Sequence, residues 1–268
     1  MSSYALSTWL YLNKTLEAAL KDFTGAGFSK VEVWANNAHL DPRFNPDFEA
    51  VFSLIKKLHI KVHSVHAPFR GLTIGSKDRD DVKNSEKWIL KTLEYAAKLD
   101  ARVMVVHPLS FNFETGSGTS VEYTQELFSG IVNKAESFGV TIAVENLPIA
   151  PPAYTSMKGL AELFPDPKLG FCLDIGHSQL NHLNIAEEIE FAGSRLVSCH
   201  ICNNDGISDL HSLPELGVID VNTILDKLES LPNVVPVFEV NGRECPEKIL
   251  DSLKSFCQTR LTRKSNKK

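Results

Sequence analysis

No run of about 18 apolar residues occurs anywhere in the 268-residue chain, so no membrane-spanning helix is expected. The start, Met1-Ser2-Ser3-Tyr4-Ala5-Leu6, lacks a basic segment followed by an apolar core. No secretory signal is therefore expected, and a cytoplasmic location is. No G-x-G-x-x-G loop follows the first strand-like run, which argues against dinucleotide binding. Positive charge is in deficit: 28 Lys and Arg stand against 33 Asp and Glu, a net charge of -5. That balance argues against a general nucleic-acid partner and leaves room for a local basic patch. Cysteine is scarce, at five, and an odd count without a signal reads as reduced thiols. Cys199 and Cys202 form a C-x-x-C, but 195–201 reads as a strand, where residues three apart face opposite sides. A redox C-x-x-C opens a helix, and a zinc knuckle needs a second pair. With 43% hydrophobic residues the chain has material for a packed core, which excludes disorder.

What is present is alternation. Short runs rich in Val and Ile lie at 4–9, 30–34, 60–66, 102–107, 140–145, 169–174, 195–201 and 234–240. Helix-like segments separate them, at 15–25, 45–58, 80–99, 121–138, 156–164, 179–191, 221–231 and 246–257. Asn45-Pro46 reads as an N-cap followed by proline at the first helical position. Continuous apolar strands imply a parallel sheet covered on both faces. Eight β-α units without a linker or composition shift predict a single (β/α)8 TIM barrel over residues 1–258. The basic, apolar-poor stretch 259–268 is expected to be a disordered tail.

In such a barrel, chemistry gathers at the C-terminal ends of the strands. Six consecutive strands there end in His66, His107, Glu145, Asp174 (with His177), His200 and Glu239, and Asp209 and His211 follow strand seven. Each alone has a bland explanation, a hydrogen-bonded histidine or a helix-capping acid. Aimed at one mouth, buried carboxylates repel and must protonate or bind cations. A mixture of imidazole and carboxylate suits Zn²⁺, Mn²⁺ or Co²⁺. A divalent metal site is therefore expected if the barrel forms. His59, His63 and His182 take structural readings, whereas His39, after strand two, is placed at the same mouth.

These segments resemble the xylose-isomerase-like TIM barrels, which include sugar isomerases, sugar epimerases and endonuclease IV. The resemblance runs over about residues 4–258 and rests on Val31-Glu32-Val33-Trp34, His66-Ala67-Pro68-Phe69, Val105-Val106-His107-Pro108, Val144-Glu145-Asn146-Leu147, Leu173-Asp174-Ile175-Gly176-His177, His200 through Gly206, Asp209-Leu210-His211 and Phe238-Glu239. For the sugar enzymes it implies one ion held by Glu145, Asp174, His200 and Glu239. For endonuclease IV it implies a three-zinc cluster that adds His66, His107, His177, Asp209 and His211. The loop after strand two, 35–43, holds one Arg and one Asp and is closer to the sugar-enzyme version. Two departures stand out. The loop 214–217 carries one glycine fewer than the family's, and no Arg follows His200 as it does in some ketose epimerases.

The resemblance therefore implies a divalent-metal-dependent isomerase or epimerase of a sugar or sugar phosphate, with one to three Zn or Mn ions. Glu145 and Glu239 are the expected acid/base pair, and His66 and His107 are alternatively expected to orient substrate oxygens. His39, Arg70, Asn146 and Asp205 are expected to contact substrate. The alternatives are a zinc phosphodiesterase acting on abasic DNA and a non-catalytic barrel that binds a sugar or a metal. Oligomeric state is not implied.

Overall fold

A computed structural model of the chain describes residues 3–36, 39–110 and 119–265. Eight strands, β1 (Ala5–Ser7), β2 (Lys30–Trp34), β3 (Lys61–His66), β4 (Val103–Val106), β5 (Thr141–Glu145), β6 (Gly170–Asp174), β7 (Leu196–Ile201) and β8 (Val235–Phe238), pair in parallel in chain order. β8 pairs back onto β1 and closes the barrel. The helices are α1 (Leu16–Gly25), α2 (Phe48–Lys57), α3 (Arg79–Lys98), α4 (Val121–Glu136), α5 (Met157–Leu163), α6 (Ile175–Leu180), α7 (Ile185–Ala192), α8 (Val221–Glu229) and α9 (Pro246–Ser265). The expected single (β/α)8 barrel is the observed fold. Among the described residues no helix is long and apolar enough to cross a membrane.

The two-residue side-chain period of a strand decides what the barrel encloses. Residues of one parity pack outward against the helices in the large core, as Val31, Val33, Val65, Met104, Val106, Ile142, Val144 and Leu173 do. The other parity fills the interior. Val103, Val105, Ala143 and Cys172 form a separate small cluster there. One step further along the same strands come His107, Glu145 and Asp174. The apolar plug therefore sits beneath the polar strand ends and closes the barrel below them.

Three details differ from the sequence expectations. Asn45 is not the cap of α2: it lies in left-handed conformation after a short turn, and Asp47 caps the helix by accepting from Ala50 N. The helix expected at 179–191 is two helices. Asp174 caps α6 directly at the strand end, through His177 N, and Asn184 caps α7. That early start puts His177 on the first turn, facing the mouth. The stretch 259–268, expected to be a disordered tail, is helical where it is described, and 266–268 lie outside the described residues. α9 runs through Ser265, and Arg260 is buried beside Tyr4, Asn222, Asp226 and Glu229. A guanidinium with that many partners is held in place.

Candidate metal centre

The nine strand-end and loop residues converge. Three groups place one ligand atom per residue within 4.8 Å of each other: His66, His107 and Glu145; Asp174, His177 and His211; and Glu145, Asp174, His200 and Glu239. Glu145 belongs to two of them. Its Oε2 lies 3.0 Å from His66 Nε2 and 3.2 Å from His107 Nε2, and its Oε1 lies 3.1 Å from His200 Nδ1. Glu239 Oε2 meets the same His200 Nδ1 at 3.1 Å. Asp209 reaches in from the loop after β7, 3.7 Å from His177 Nε2 and 3.3 Å from His211 Nε2. Asn203 holds that loop, pairing with Ser212 through both backbone bonds and donating from its side chain to Pro214 O and Ile219 O. The loop with one glycine fewer thus still delivers His211 to the cluster, with His211 itself in left-handed backbone conformation (φ 47).

The opposite ring nitrogens are equally informative. His66 Nδ1 lies 2.9 Å from Ala67 O, His177 Nδ1 2.8 Å from Asn146 O, and His211 Nδ1 2.9 Å from Glu239 O. A carbonyl oxygen accepts only, so each Nδ1 carries a proton and each Nε2 is the nitrogen turned toward the central carboxylates. There it shares a proton with them, as His66 Nε2 does with Glu145 Oε2 at 3.0 Å, and would offer its lone pair to a cation that displaces that proton. His200 is reversed: Nε2 lies 3.2 Å from Glu32 Oε2, and Nδ1 faces the centre. A pinned, donating nitrogen opposite one turned to the centre is the arrangement that orients histidine for a metal and raises its basicity. The donor set therefore fits a divalent cation.

The electrostatics give the same reading. Burial alone would push every charge here toward neutrality. For Glu239 burial is outweighed by His200 and His211, and its carboxyl is held down to about 2. For His177 burial is outweighed by Asp174 and Asp209, and the ring is pushed up to about 9. Asp174 goes the other way, raised above the ordinary carboxylate range by its burial. Without a cation the cluster is stable only by sharing protons between imidazoles and carboxylates. Cations that take over that role release those protons.

Four residues were expected to touch substrate. Arg70 lines the cleft above the cluster. The other three do not reach it. His39 is buried beneath the loop after β2, with Nε2 on Lys14 O and Nδ1 beside Asn36, and burial pulls it down to about 4. Asn146 is spent on structure: its amide donates to Asp174 O and Ser178 Oγ, and its oxygen accepts from Asp174 N. It holds Asp174 and, through its own carbonyl, His177. Asp205 is exposed and closes a turn by accepting from Ile207 N and Ser208 N. Conversely, sequence reasoning passed over Glu32. It is fully buried inside the barrel, accepting from Ser64 Oγ at 2.8 Å as well as from His200. The signal was an acid between Val31 and Val33, on the inward parity of β2. Glu32→Leu fills similar space but leaves His200 Nε2–H without an acceptor. It is expected to weaken metal binding about 10- to 100-fold with an unchanged circular dichroism spectrum, as measured by chelator competition. An unaltered affinity would show that Glu32 does not orient the ring.

The cleft over the cluster has a volume of about 730 Å³, within the range of small-molecule sites. Trp9, Trp34 and Phe69 wall one side. Phe69 stacks on His107 at 4.1 Å, and Trp34 lies 5.0 Å from the His66 ring. Fold and site together define a (β/α)8 barrel with metal-ligand chemistry at the C-terminal face of its strands. The chain belongs to the xylose isomerase-like TIM barrel family, which it matches over residues 20–258. It is 26% identical to an uncharacterized protein of Methanocaldococcus jannaschii, MJ1311, over 85% of this chain and 80% of that one. It is 22% identical to fructoselysine 3-epimerase of Escherichia coli O157:H7, over 78% of this chain and 79% of the enzyme. Among solved structures, a D-tagatose 3-epimerase-like protein superposes with a TM-score of 0.79 at 23% identity, covering 97% of this chain and 99% of the other. The IOLI protein, solved with a bound zinc atom, superposes with a TM-score of 0.76 at 18% identity, covering 97% and 98%.

Proposed function

We propose that this protein is a divalent-metal-dependent isomerase or epimerase of a sugar or sugar phosphate. The observation that carries the reading is the pair Glu145 and Glu239, each 3.1 Å from His200 Nδ1, on the floor of a cleft of small-molecule size. A bound zinc or manganese ion, held by those three residues and Asp174, would supply a Lewis acid beside the reacting carbonyl and hydroxyl. Glu145 comes from the end of β5 and Glu239 follows β8, so they approach the centre from different sides. One carboxylate takes the proton from the carbon next to the carbonyl, and the other returns it. Trp9, Trp34 and Phe69 exclude water and offer apolar faces to the sugar ring. The epimerases among the relatives and structural neighbours support this reading.

One observation favours a second reading. Three overlapping ligand groups are more than a single ion needs, and they suit a zinc cluster that hydrolyses abasic DNA. The experiment that separates the two begins with metal content per chain, by elemental analysis of protein purified without added metal. The loaded protein is then incubated with ketoses in D₂O and, separately, with an abasic-site duplex. The isomerase/epimerase reading expects deuterium to enter the carbon next to the carbonyl and the duplex to stay intact. Incision of the duplex without exchange overturns it. Bound metal with neither activity leaves a binding barrel.

A further inference from the structure

We propose that the rim of the cleft is an anion subsite, in which Arg70 and Arg243 receive a phosphomonoester on the substrate at the end remote from the reacting carbon. The inference rests on the sugar isomerase/epimerase reading for the rest of the substrate, while its anion-binding half can fail or hold separately.

Three arginines meet near the mouth, and the structure uses them differently. Arg43 is committed. Its Nε donates to Asp41 Oδ1 at 2.9 Å, its Nη2 to Asp41 Oδ2 at 2.5 Å, and its Nη1 to Arg70 O at 2.6 Å. It acts as a strut under the turn at Arg70 and Gly71, where Gly71 adopts φ +71. Arg70 is thereby fixed by its backbone while its side chain stays exposed over the cleft. Its guanidinium rests over the rings of Trp9, at 5.7 Å, and Phe69, at 5.9 Å. Those rings in turn meet the ligand set: Trp9 lies 5.9 Å from His211, and Phe69 4.1 Å from His107. Arg70 thus stands one aromatic ring away from the centre on two sides.

Arg243 arrives from the loop after β8. At Gly242 a Cβ would collide with the carbonyl oxygen of Leu10, so only glycine lets this loop press against the turn that follows β1. Arg243 N donates to Asn241 Oδ1 at 3.1 Å, and the side chain opens into the same cleft. The arginines with carboxylate partners are Arg43, Arg79 and Arg260. Among the described residues no carboxylate pairs with Arg70 or Arg243.

Two guanidiniums with no carboxylate partner among the described residues are a poor match for a neutral sugar. Each offers five donors and no acceptor, whereas every sugar hydroxyl also needs its own proton accepted. A phosphomonoester offers three acceptor oxygens and close to two negative charges, which two planar forks satisfy together. In a chain of net charge -5, cations left free at the mouth also steer such an anion inward. A DNA backbone fits less well. Duplex binding draws on a row of about 6–10 phosphate contacts, and the Arg of the loop after β2 is consumed by Asp41.

The test titrates inorganic phosphate into chelator-treated protein, followed by ³¹P NMR. It then compares D-fructose with D-fructose 6-phosphate for deuterium exchange by the loaded protein. Phosphate is expected to bind the metal-free chain. Arg70→Gln and Arg243→Gln are each expected to weaken that binding about 10-fold or more, with unchanged circular dichroism. Exchange is expected to favour the phosphorylated ketose, by kcat/KM, in the wild type and much less in either variant. Phosphate that fails to bind, or that binds equally well to both variants, overturns the subsite. Equal exchange of both ketoses overturns it too, and leaves the isomerase/epimerase reading standing. Arginine-dependent phosphate binding with no exchange on either ketose supports the subsite and counts against that reading. Arginine-dependent binding of an abasic duplex, with no binding of free phosphate, assigns the rim to DNA and overturns the proposal.

Discussion

Glu145→Gln is expected to lower turnover by at least about 10³-fold, within the range that a positioned acid or base supplies, while the chain stays folded. The reason lies in the number of groups that share this carboxylate. Oε2 faces His66 and His107, Oε1 faces His200, and the residue belongs to two of the three ligand groups. A glutamine in the same volume keeps one oxygen but turns an NH₂ toward at least one imidazole nitrogen. It also removes the negative charge that a cation needs and the basic atom that accepts a proton. The metal-free variant is expected to melt below the metal-free wild type, because His66, His107 and His200 lose the buried carboxylate that shares their protons. It also loses the added stability that metal binding gives the folded state. Thermal melts with and without metal, beside the exchange assay, check this. A variant that retains both wild-type turnover and the full metal-induced shift would remove Glu145 from the centre.

Much of this centre was legible because strand ends in a parallel barrel share one face. Once 60–66, 102–107, 140–145, 169–174, 195–201 and 234–240 read as strands, the polar residue after each was assigned a place without knowledge of any contact. His66, His107, Glu145, Asp174, His200 and Glu239 all lie there, and His177, His211 and, through its contacts to both, Asp209 join them. The failures have a different physics. His39, Asn146 and Asp205 are polar residues beside the right strands, and nothing in a sequence says whether a side chain is already satisfied by backbone. Lys14 O, Asp174 N and Ser208 N are the partners that take them away from substrate. Glu32 was hidden for the complementary reason. Its partner His200 is 168 residues away, and a single acid in a valine-rich strand looks unremarkable until the barrel closes around it.

Removal of residues 260–268 is expected to lower the melting temperature by about 5–15 °C, although the deleted stretch is basic and poor in apolar residues. The effect centres on Arg260. Nε donates to Tyr4 Oη at 3.0 Å and Glu229 Oε1 at 3.3 Å, Nη1 to Asn222 O at 3.0 Å, and Nη2 to Asp226 Oδ1 at 2.5 Å. Tyr4 immediately precedes β1, and the three partners Asn222, Asp226 and Glu229 lie on α8. One side chain on α9 therefore ties the first strand to the last helices, where the chain closes into a ring. Tyr4 also packs on Phe238 at 5.4 Å, and Phe238 on Phe256 at 6.0 Å, so the tie continues into apolar core. Asp226 is largely exposed, which discounts its share. The buried hydrogen bond to Tyr4 and the partly buried ones to Glu229 and Asn222 carry most of the loss, about 2–4 kcal/mol in all. At about 2–4 °C per kcal/mol for a domain of this size, that gives the stated fall. The stripe was present in the sequence: Leu253, Phe256, Cys257 and Arg260 follow the i, i+3, i+4, i+7 spacing of one helix face, and the first three are buried. Arg260 continues an apolar face by laying its stem on it and finding partners for its head. A chain ended after Arg263 keeps this anchor and is expected to melt with the wild type. Calorimetry of both truncations decides the matter, because a tail that is merely solvated would leave the two melting temperatures equal.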